Sequence, residues 1–506
     1  MKPLEMLIIA VALLMVTTCG ESPAPEALAG WDGPFYAITL TSDAPGLIRV
    51  SAHLPNAPAT LHMSENGANN LPDGWATFVS DLVMTDGQGN AITVKKSGPR
   101  SWQLTDPPAG NIDLSYTVTL AHDTVSWSGG IDGAALQLPW GAFFAGRAVF
   151  VLPDSLEGPI RVALRTSPDW DVAAPWPEVP GRDGEFEAPT ANTLTESYGF
   201  IGEFEGFTIE RGGFELVFAL GGPSVIVRAE EFQSSAEAVF DYYIEMMGGP
   251  PKPAPGEPSD RVLVVINEGD VTDGEVIGSH INILLEPNPG PMGLVFSRFG
   301  FSHELFHLWN GKSMRSNGPE DWFTEGFTNY YTLKAMHEAE ILDERGYFAV
   351  MDGLFFGRYV SDEGYGVLSM RDAVPEKHAH WGLIYAGGMF TAICQDVEIR
   401  RASNNTRSLD DVMRQVYARY AGAEETFGVE EIESLIGEAS DYDPSTFFER
   451  HVLGIEPIPI AECLSRASLD AAIVDGHLTV SRTENPGTSN AIVEGILGRI
   501  HSADGT

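Results

Sequence analysis

The sequence predicts a multidomain α+β protein, with an N-terminal antiparallel β-sandwich-like domain followed by a mainly helical domain. The length of 506 residues suggests about three domains, because a typical domain has roughly 150 residues. Short alternating segments such as residues 116–120 and 214–220, separated by turn residues, are typical of antiparallel strands. From residue 234 the apolar spacing changes to that of helices, which dominate from 301 to 451.

Composition and charge exclude several classes of protein. The chain is 43% hydrophobic and 10% aromatic, so it is neither disordered nor collagen-like. Thirty basic residues against 71 acidic ones leave a formal charge of −41. Because such a charge repels phosphate backbones, we expect no nucleic-acid partner.

The N-terminus predicts export. Lys2 precedes an apolar run at residues 6–16, which is too short for a transmembrane helix but suits a signal peptide. The run ends at Cys19 in a sequence that looks like a bacterial lipobox, although Thr18 replaces the usual Gly, Ala or Ser. We therefore expect an exported bacterial protein, periplasmic or anchored to the outer membrane by lipid at Cys19, with ordinary cleavage as the alternative.

The predicted organisation follows from these patterns. A signal peptide occupies residues 1–19 and a linker residues 20–30, followed by the β domain at 31–228. The helical domain spans 229–453, and a C-terminal segment with short strand-like runs spans 454–506. Membrane contact is expected only through the N-terminal lipid.

One motif predicts a zinc site. His303 and His307 lie one turn apart in a predicted helix and project from the same face, with Glu304 beside them. Glu325 follows 18 positions after His307 on the next predicted helix. Two histidines and a glutamate can hold one Zn²⁺ and leave a coordination position open for water. The alternative is an ordinary polar cluster between two helices.

The chemistry of such a site assigns further roles. Zinc lowers the pKa of water and polarises the scissile carbonyl, while Glu304 can accept the proton of the water and pass it to the leaving amine. Asn329, four residues after Glu325, is a candidate for orienting a ligand by a hydrogen bond.

The chain resembles the glycyl aminopeptidase family of zinc metallopeptidases, which are gluzincins with a thermolysin-like catalytic domain. The similarity extends from about residue 116 to 453 in order and spacing. The motifs that carry it are His303-Glu304-Leu305-Phe306-His307-Leu308-Trp309-Asn310, the block at 322–331, Tyr385-Ala386-Gly387-Gly388 and the helix end at 396–400. The resemblance implies a peptidase that releases small N-terminal residues, Gly or Ala, from peptides.

Two further roles come from this resemblance. Tyr385 matches the tyrosine that donates to the oxyanion, although Gly387 stands where the family has lysine. Glu275 matches a glutamate that meets the free amine of the substrate, in a segment where one glycine, the leucine and the histidine of the family motif are replaced. A buried tyrosine packed by its ring and a solvated loop glutamate are the alternatives.

The resemblance leaves some questions open. The family usually ends in a PDZ domain, and residues 454–506 are too short for one, so we expect a remnant at most. An endopeptidase with the same zinc site and a catalytically silent peptide-binding lipoprotein of the envelope are the alternatives to an aminopeptidase. The sequence leaves open the oligomeric state and whether Cys394 and Cys463 pair.

Overall fold

The computed structural model describes residues 30–68, 71–122, 135–253, 260–483 and 490–500. The predicted signal peptide and the lipobox cysteine, Cys19, lie outside the described residues. Across these ranges, no helix combines the length and the apolarity that a membrane span requires.

Three sheets and a short helix build the N-terminal part. Its elements are β1 (Phe35–Thr39), β2 (Leu47–Leu54), β3 (Thr60–His62), β4 (Val79–Asp86), β5 (Val94–Gly98), β6 (Ser101–Leu104), β7 (Ile112–Thr119), β8 (Leu136–Leu138), β9 (Gly141–Ala145), β10 (Leu152–Pro153), β11 (Ile160–Arg165), β12 (Asp171–Ala173), β13 (Glu185–Ala188), α1 (Ala191–Thr195) and β14 (Tyr198–Gly202). The strand orders are β13-β11-β1-β2-β7-β4, β10-β3-β6-β5 and β12-β14-β9-β8.

Alternation along the strands explains why these segments form sheets. In β7, Ile112, Leu114, Tyr116 and Val118 are buried, whereas the residues between them are half-buried. Side chains of a strand point alternately to opposite faces, so this period of two buries one face of the sheet. The pairings of these strands are antiparallel except that of β1 with β11.

A second group of strands forms a five-stranded sheet in the order β15-β16-β17-β19-β18. These strands are β15 (Phe204–Arg211), β16 (Phe214–Gly221), β17 (Arg261–Glu268), β18 (Asp273–Ile277) and β19 (His280–Leu285). Strands β16, β17 and β19 are parallel, and β18 is an antiparallel edge strand. This sheet crosses the domain limit predicted at residues 228/229, because β16 pairs with β17. The predicted domain limits remain predictions.

Helices follow and cover this sheet. They are α2 (Pro223–Ile226), α3 (Ala229–Met247), α4 (Gly290–His307), α5 (Asp321–Glu338), α6 (Glu344–Val350), α7 (Gly357–Ser361), α8 (Met370–Ala373), α9 (Gly388–Ala402), α10 (Leu409–Tyr420), α11 (Val429–Ala439) and α12 (Ser445–Phe447). The predicted α+β multidomain class, strands first and helices after them, is confirmed.

The chain beyond residue 454 packs on these helices. It forms α13 (Ile460–Arg466), the hairpin of β20 (Leu469–Val474) with β21 (His477–Arg482), and α14 (Asn490–Leu497). Cys394 of α9 and Cys463 of α13 form a disulfide with a Cα–Cα distance of 5.3 Å, which answers the question of their pairing. Helix α14 contacts α5 and α9, so this segment is part of the helical core.

A buried network of charges joins α5, α9 and α10. Lys334 Nζ lies 2.5 Å from Asp410 Oδ1, and both side chains are at most 1% exposed. Arg400 Nε donates to Asp396 Oδ1 at 3.0 Å, and Tyr330 donates its hydroxyl to Asp396 Oδ2 at 2.6 Å. Each charge has a partner, which offsets the cost of removing it from water.

We predict that Lys334→Met lowers the free energy of unfolding by about 3–5 kcal/mol, because it leaves the Asp410 carboxylate buried without its closest cation. Denaturant unfolding followed by circular dichroism measures the change. Lys95→Met is the matched control, since Lys95 is exposed on β5, and we expect an effect below about 0.5 kcal/mol there. Equal stability of the two variants would contradict a stabilising role for the ion pair between Lys334 and Asp410.

Candidate metal centre

Helix α4 carries two histidines on the same face, with their rings perpendicular to each other. His303 and His307 are one turn apart, and their Nε2 atoms are 3.1 Å apart. Leu305 and Phe306, between the two histidines in the sequence, are buried in the core. His307 Nδ1 lies 3.0 Å from the carbonyl oxygen of Asn310, which can only accept, so Nδ1 carries the proton. The other nitrogen of His307, Nε2, therefore offers its lone pair to the centre.

Helix α5 brings a carboxylate to the same point. Glu325 Oε2 lies 3.4 Å from His303 Nε2 and 3.2 Å from His307 Nε2. Asn310 ties the end of α4 to the start of α5, because its amide donates to the carbonyl oxygens of Phe323 and Thr324 at 3.3 and 3.1 Å. One side chain thus links both ligand-bearing helices.

The separations of these three atoms fit a metal ion. They are 3.1–3.4 Å, and ligand atoms at about 2.0–2.1 Å in a tetrahedral site are roughly 3.4 Å apart. Glu304 offers an oxygen within 4.8 Å of the histidine ligand atoms. In the described ranges, His303, Glu304 and His307 are the one group of three or more His, Cys, Asp or Glu residues whose ligand atoms all lie within 4.8 Å of one another.

The electrostatics of the centre favour a cation. Burial lowers the pKa of His307, but the carboxylates of Glu325 and Glu304 raise it overall to about 9. Burial opposes ionisation of Glu325 as well, yet the two histidines hold its pKa well below the usual range. The ionised carboxylate is therefore neutralised by a proton or by a metal, and the two compete for the histidines.

Tyr385 lies beside the centre on a π-helical segment, Gly382–Gly387. Its ring centroid is 6.5 Å from that of His303, and it stacks on Trp381 at 5.0 Å. Burial, followed by the carboxylates of Glu325 and Glu304, raises the pKa of Tyr385 far above its usual value. The hydroxyl therefore stays protonated and can donate a hydrogen bond.

Asn329 contacts Tyr385 rather than a ligand side chain. Its amide donates to the backbone carbonyl of Tyr385 at 3.2 Å. The sequence predicts Asn329 as an orienting residue for a metal ligand, and in the structure its amide holds the backbone that carries Tyr385. Asn329 itself is buried, at 1% exposure.

Glu275 lies on the edge strand β18, which packs against α4. It is half-buried, and Asn282 of β19 donates to its carboxylate at 3.3 Å. The structure thus brings His303, Glu304, His307, Glu325 and Tyr385 together, and it places Glu275 along the strand beside the helix that carries the histidines.

Lys377 is a site residue that no motif indicated. Its ammonium lies 3.3 Å from Glu325 Oε1 and 3.2 Å from Asp321 Oδ1. One oxygen of Glu325 therefore faces the histidines while the other is held by Lys377. The ammonium also lowers the negative charge of the site from a loop that precedes Tyr385. A lone lysine in a loop carries no sequence signal for this role.

Comparisons with known proteins agree with the motifs. The M61 peptidase N-terminal domain matches residues 35–203, and the M61 glycyl aminopeptidase model matches residues 298–387, which include the two histidines, Glu325 and Tyr385. No curated protein matches the chain. The crystal structure of an aminopeptidase N family protein from Idiomarina loihiensis is similar, with a TM-score of 0.74 over 90% of this chain and 82% of that one. At 17% identity, that likeness shows the fold.

We predict that Lys377→Met weakens metal binding by roughly 10- to 100-fold, because loss of a residue that orients a metal ligand usually lowers the affinity by about that factor. Competition with a chromophoric zinc chelator measures the affinity. Lys95→Met, on an exposed strand of the N-terminal part, serves as the control. An unchanged affinity in Lys377→Met would show that Glu325 does not depend on this ammonium.

Proposed function

We propose that this chain, which belongs to the M61 glycyl aminopeptidase family, is a zinc-dependent aminopeptidase that releases small N-terminal residues, Gly or Ala, from peptides. The observation that carries the proposal is the convergence of His303 Nε2, His307 Nε2 and Glu325 Oε2 within 3.4 Å of one another. These three residues would hold the ion, and two nitrogens with one carboxylate oxygen suit zinc better than harder cations.

Each remaining residue has a part in the reaction. When bound, zinc acts as a Lewis acid toward the scissile carbonyl and lowers the pKa of water. Glu304 takes the proton of the attacking water and delivers it to the leaving amine. The protonated hydroxyl of Tyr385 donates to the oxyanion as negative charge develops there. Asn329 fixes the backbone from which Tyr385 acts.

Selection for a free N-terminus is assigned to Glu275. Its carboxylate lies on the exposed edge of the sheet, where an extended peptide can add as a further strand. An ionised carboxylate attracts the α-ammonium group of a peptide and gives nothing to an acetylated one. This pairing would distinguish an aminopeptidase from an endopeptidase with the same centre.

Export to the periplasm or outer membrane is part of the proposal. The disulfide between Cys394 and Cys463 supports it, because disulfides persist in oxidising compartments. The membrane anchor would be the lipidated Cys19.

Release of alanine from Ala-Gly-Ala by protein lacking residues 1–19 tests the activity. We expect cleavage of the free peptide, no cleavage of its N-acetylated form, and loss of activity by a factor of about 10² or more in Glu304→Gln, which removes the proton acceptor. A chelator should abolish activity and added zinc restore it.

Glu363→Gln, an exposed site, is the control for Glu304→Gln. Cleavage of the acetylated peptide would identify an endopeptidase. Binding of peptides without any cleavage would favour the silent envelope lipoprotein.

We predict that Tyr385→Phe lowers kcat by about 10²–10³, the usual effect of removing one donor to an oxyanion. Because the ring and its stack on Trp381 remain, zinc content and KM should change little. Steady-state kinetics with metal analysis check both expectations, and Tyr365→Phe serves as the matched control. A raised KM at constant kcat would assign Tyr385 to binding alone.

A further inference from the structure

One face of α4 continues from the histidines as an apolar stripe. Met292, Phe296, Phe299 and His303 are spaced by four, three and four residues, so they share a face of the helix. Met292 is 56% and Phe296 is 42% exposed, which is unusual for large apolar side chains beside a polar centre. The stripe therefore offers an apolar surface that leads directly to the metal centre.

A closed circuit of rings borders the end of this stripe. Phe299 lies 6.1 Å from His303 and 5.8 Å from Phe355 between ring centroids. Phe355 stacks on Trp381 at 5.8 Å, and Trp381 stacks on Tyr385 at 5.0 Å. Tyr385 returns to His303 at 6.5 Å, which closes the circuit. A metal ligand and the expected oxyanion donor thus belong to one aromatic wall.

Gly300 follows Phe299 of this wall and leaves open space on α4. It is three residues before His303 and seven before His307, so it shares their face of α4. A Cβ atom at Gly300 would have no heavy atom within 4 Å, in contrast to the glycines that pack against neighbouring backbone. Open space on a helix face beside rings is suited to a side chain that comes from outside.

The edge strand suggests which substrate residue enters this space. Thr272, just before β18, has its Oγ1 3.8 Å from the position of a Cβ on Gly293 in α4. Glu275 lies three residues further along. Consider a peptide whose N-terminal amine lies at Glu275 and whose chain runs antiparallel to β18, toward Thr272. The residues after its N-terminal residue then lie over the apolar half of α4.

We propose, building on the proposed function, that Gly300 and the aromatic wall of Phe299, Trp381 and Tyr385 form a pocket for a large apolar side chain directly after the scissile bond. The substrates would then be peptides with a small N-terminal residue followed by an aromatic or long aliphatic one. Gly300 is the specificity-determining residue, because any longer side chain there fills the pocket.

Kinetics of the zinc-loaded protein on Ala-Phe-Ala and Ala-Gly-Ala test the pocket. We expect kcat/KM to be about tenfold or more higher for Ala-Phe-Ala, the usual value of one apolar side chain in a fitted pocket. Gly300→Leu should remove that preference by lowering kcat/KM for Ala-Phe-Ala more than for Ala-Gly-Ala, because its side chain would occupy the space that the phenyl ring enters. Gly300→Ala is the matched control, since its methyl group fits the open space and alanine favours helices.

Phe299→Ala should reduce the preference as well. Its matched control is Phe207→Ala, which removes a half-buried ring stacked at 4.4 Å on Phe218 at the opposite edge of the sheet. Zinc content is measured for each variant, so that damage to the neighbouring His303 is recognised. The proposal is overturned if Gly300→Leu lowers kcat/KM equally for Ala-Phe-Ala and Ala-Gly-Ala. It is also overturned if Phe-Ala-Ala is cleaved as well as Ala-Phe-Ala, because the preference would then concern the N-terminal residue.

Calorimetry on zinc-loaded Glu304→Gln separates this proposal from the proposed function. Tighter binding of Ala-Phe-Ala than of Ala-Gly-Ala, lost when Gly300→Leu is added, supports the pocket even if the native protein cleaves neither peptide. Equal affinities of the two peptides would overturn the pocket whatever the activity.

Discussion

The close approach of two glycines determines where the centre can form. Gly326 follows the ligand Glu325 on α5, and Gly388 follows Tyr385 by three positions at the start of α9. A Cβ on either glycine would overlap backbone of the opposite helix. Only a pair of glycines lets the helices meet here, and this contact sets the distance from Tyr385 to the ligands. The glycines after the two functional residues are therefore part of the site.

Neighbouring cations on both sides fix the orientation of the Glu325 carboxylate. Glu325 is held from both sides, with one oxygen toward the histidines and the other toward Lys377. An ionised carboxylate that is almost fully buried needs cations around it. Lys377 supplies a cation at Glu325 Oε1 and leaves the other oxygen free to face the histidines. Burial first, and this carboxylate second, raise the pKa of Tyr385, so that its hydroxyl stays protonated beside the centre.

The candidate ligands could be located from the sequence because their spacing is a local property of helices. Two histidines at i and i+4 share a face wherever the segment is helical, and Glu325 follows on the next helix. Lys377 reaches Glu325 across 52 residues, which depends on tertiary packing that no motif encodes. The pairing of β16 with β17 spans α3 for the same reason, so the change of period near residue 230 did not coincide with an edge of the sheet. The sequence predicts a role for Asn329 at the site, but its contact with Tyr385 depends on the π-helical segment.

A second set of contacts keeps the helices in register beyond the glycine pair. Tyr330 bonds Asp396 one turn after Gly326, and Lys334 bonds Asp410 one turn further. From Gly326 to Lys334 the helix rises about 12 Å. The first contact ties α5 to α9 and the second ties α5 to α10, so α5 cannot tilt or slide without breaking a buried hydrogen bond or ion pair. The residues of the centre, which are at most 14% exposed at their side chains for His303, His307 and Glu325, are thus held in place by the more deeply buried part of the same helices.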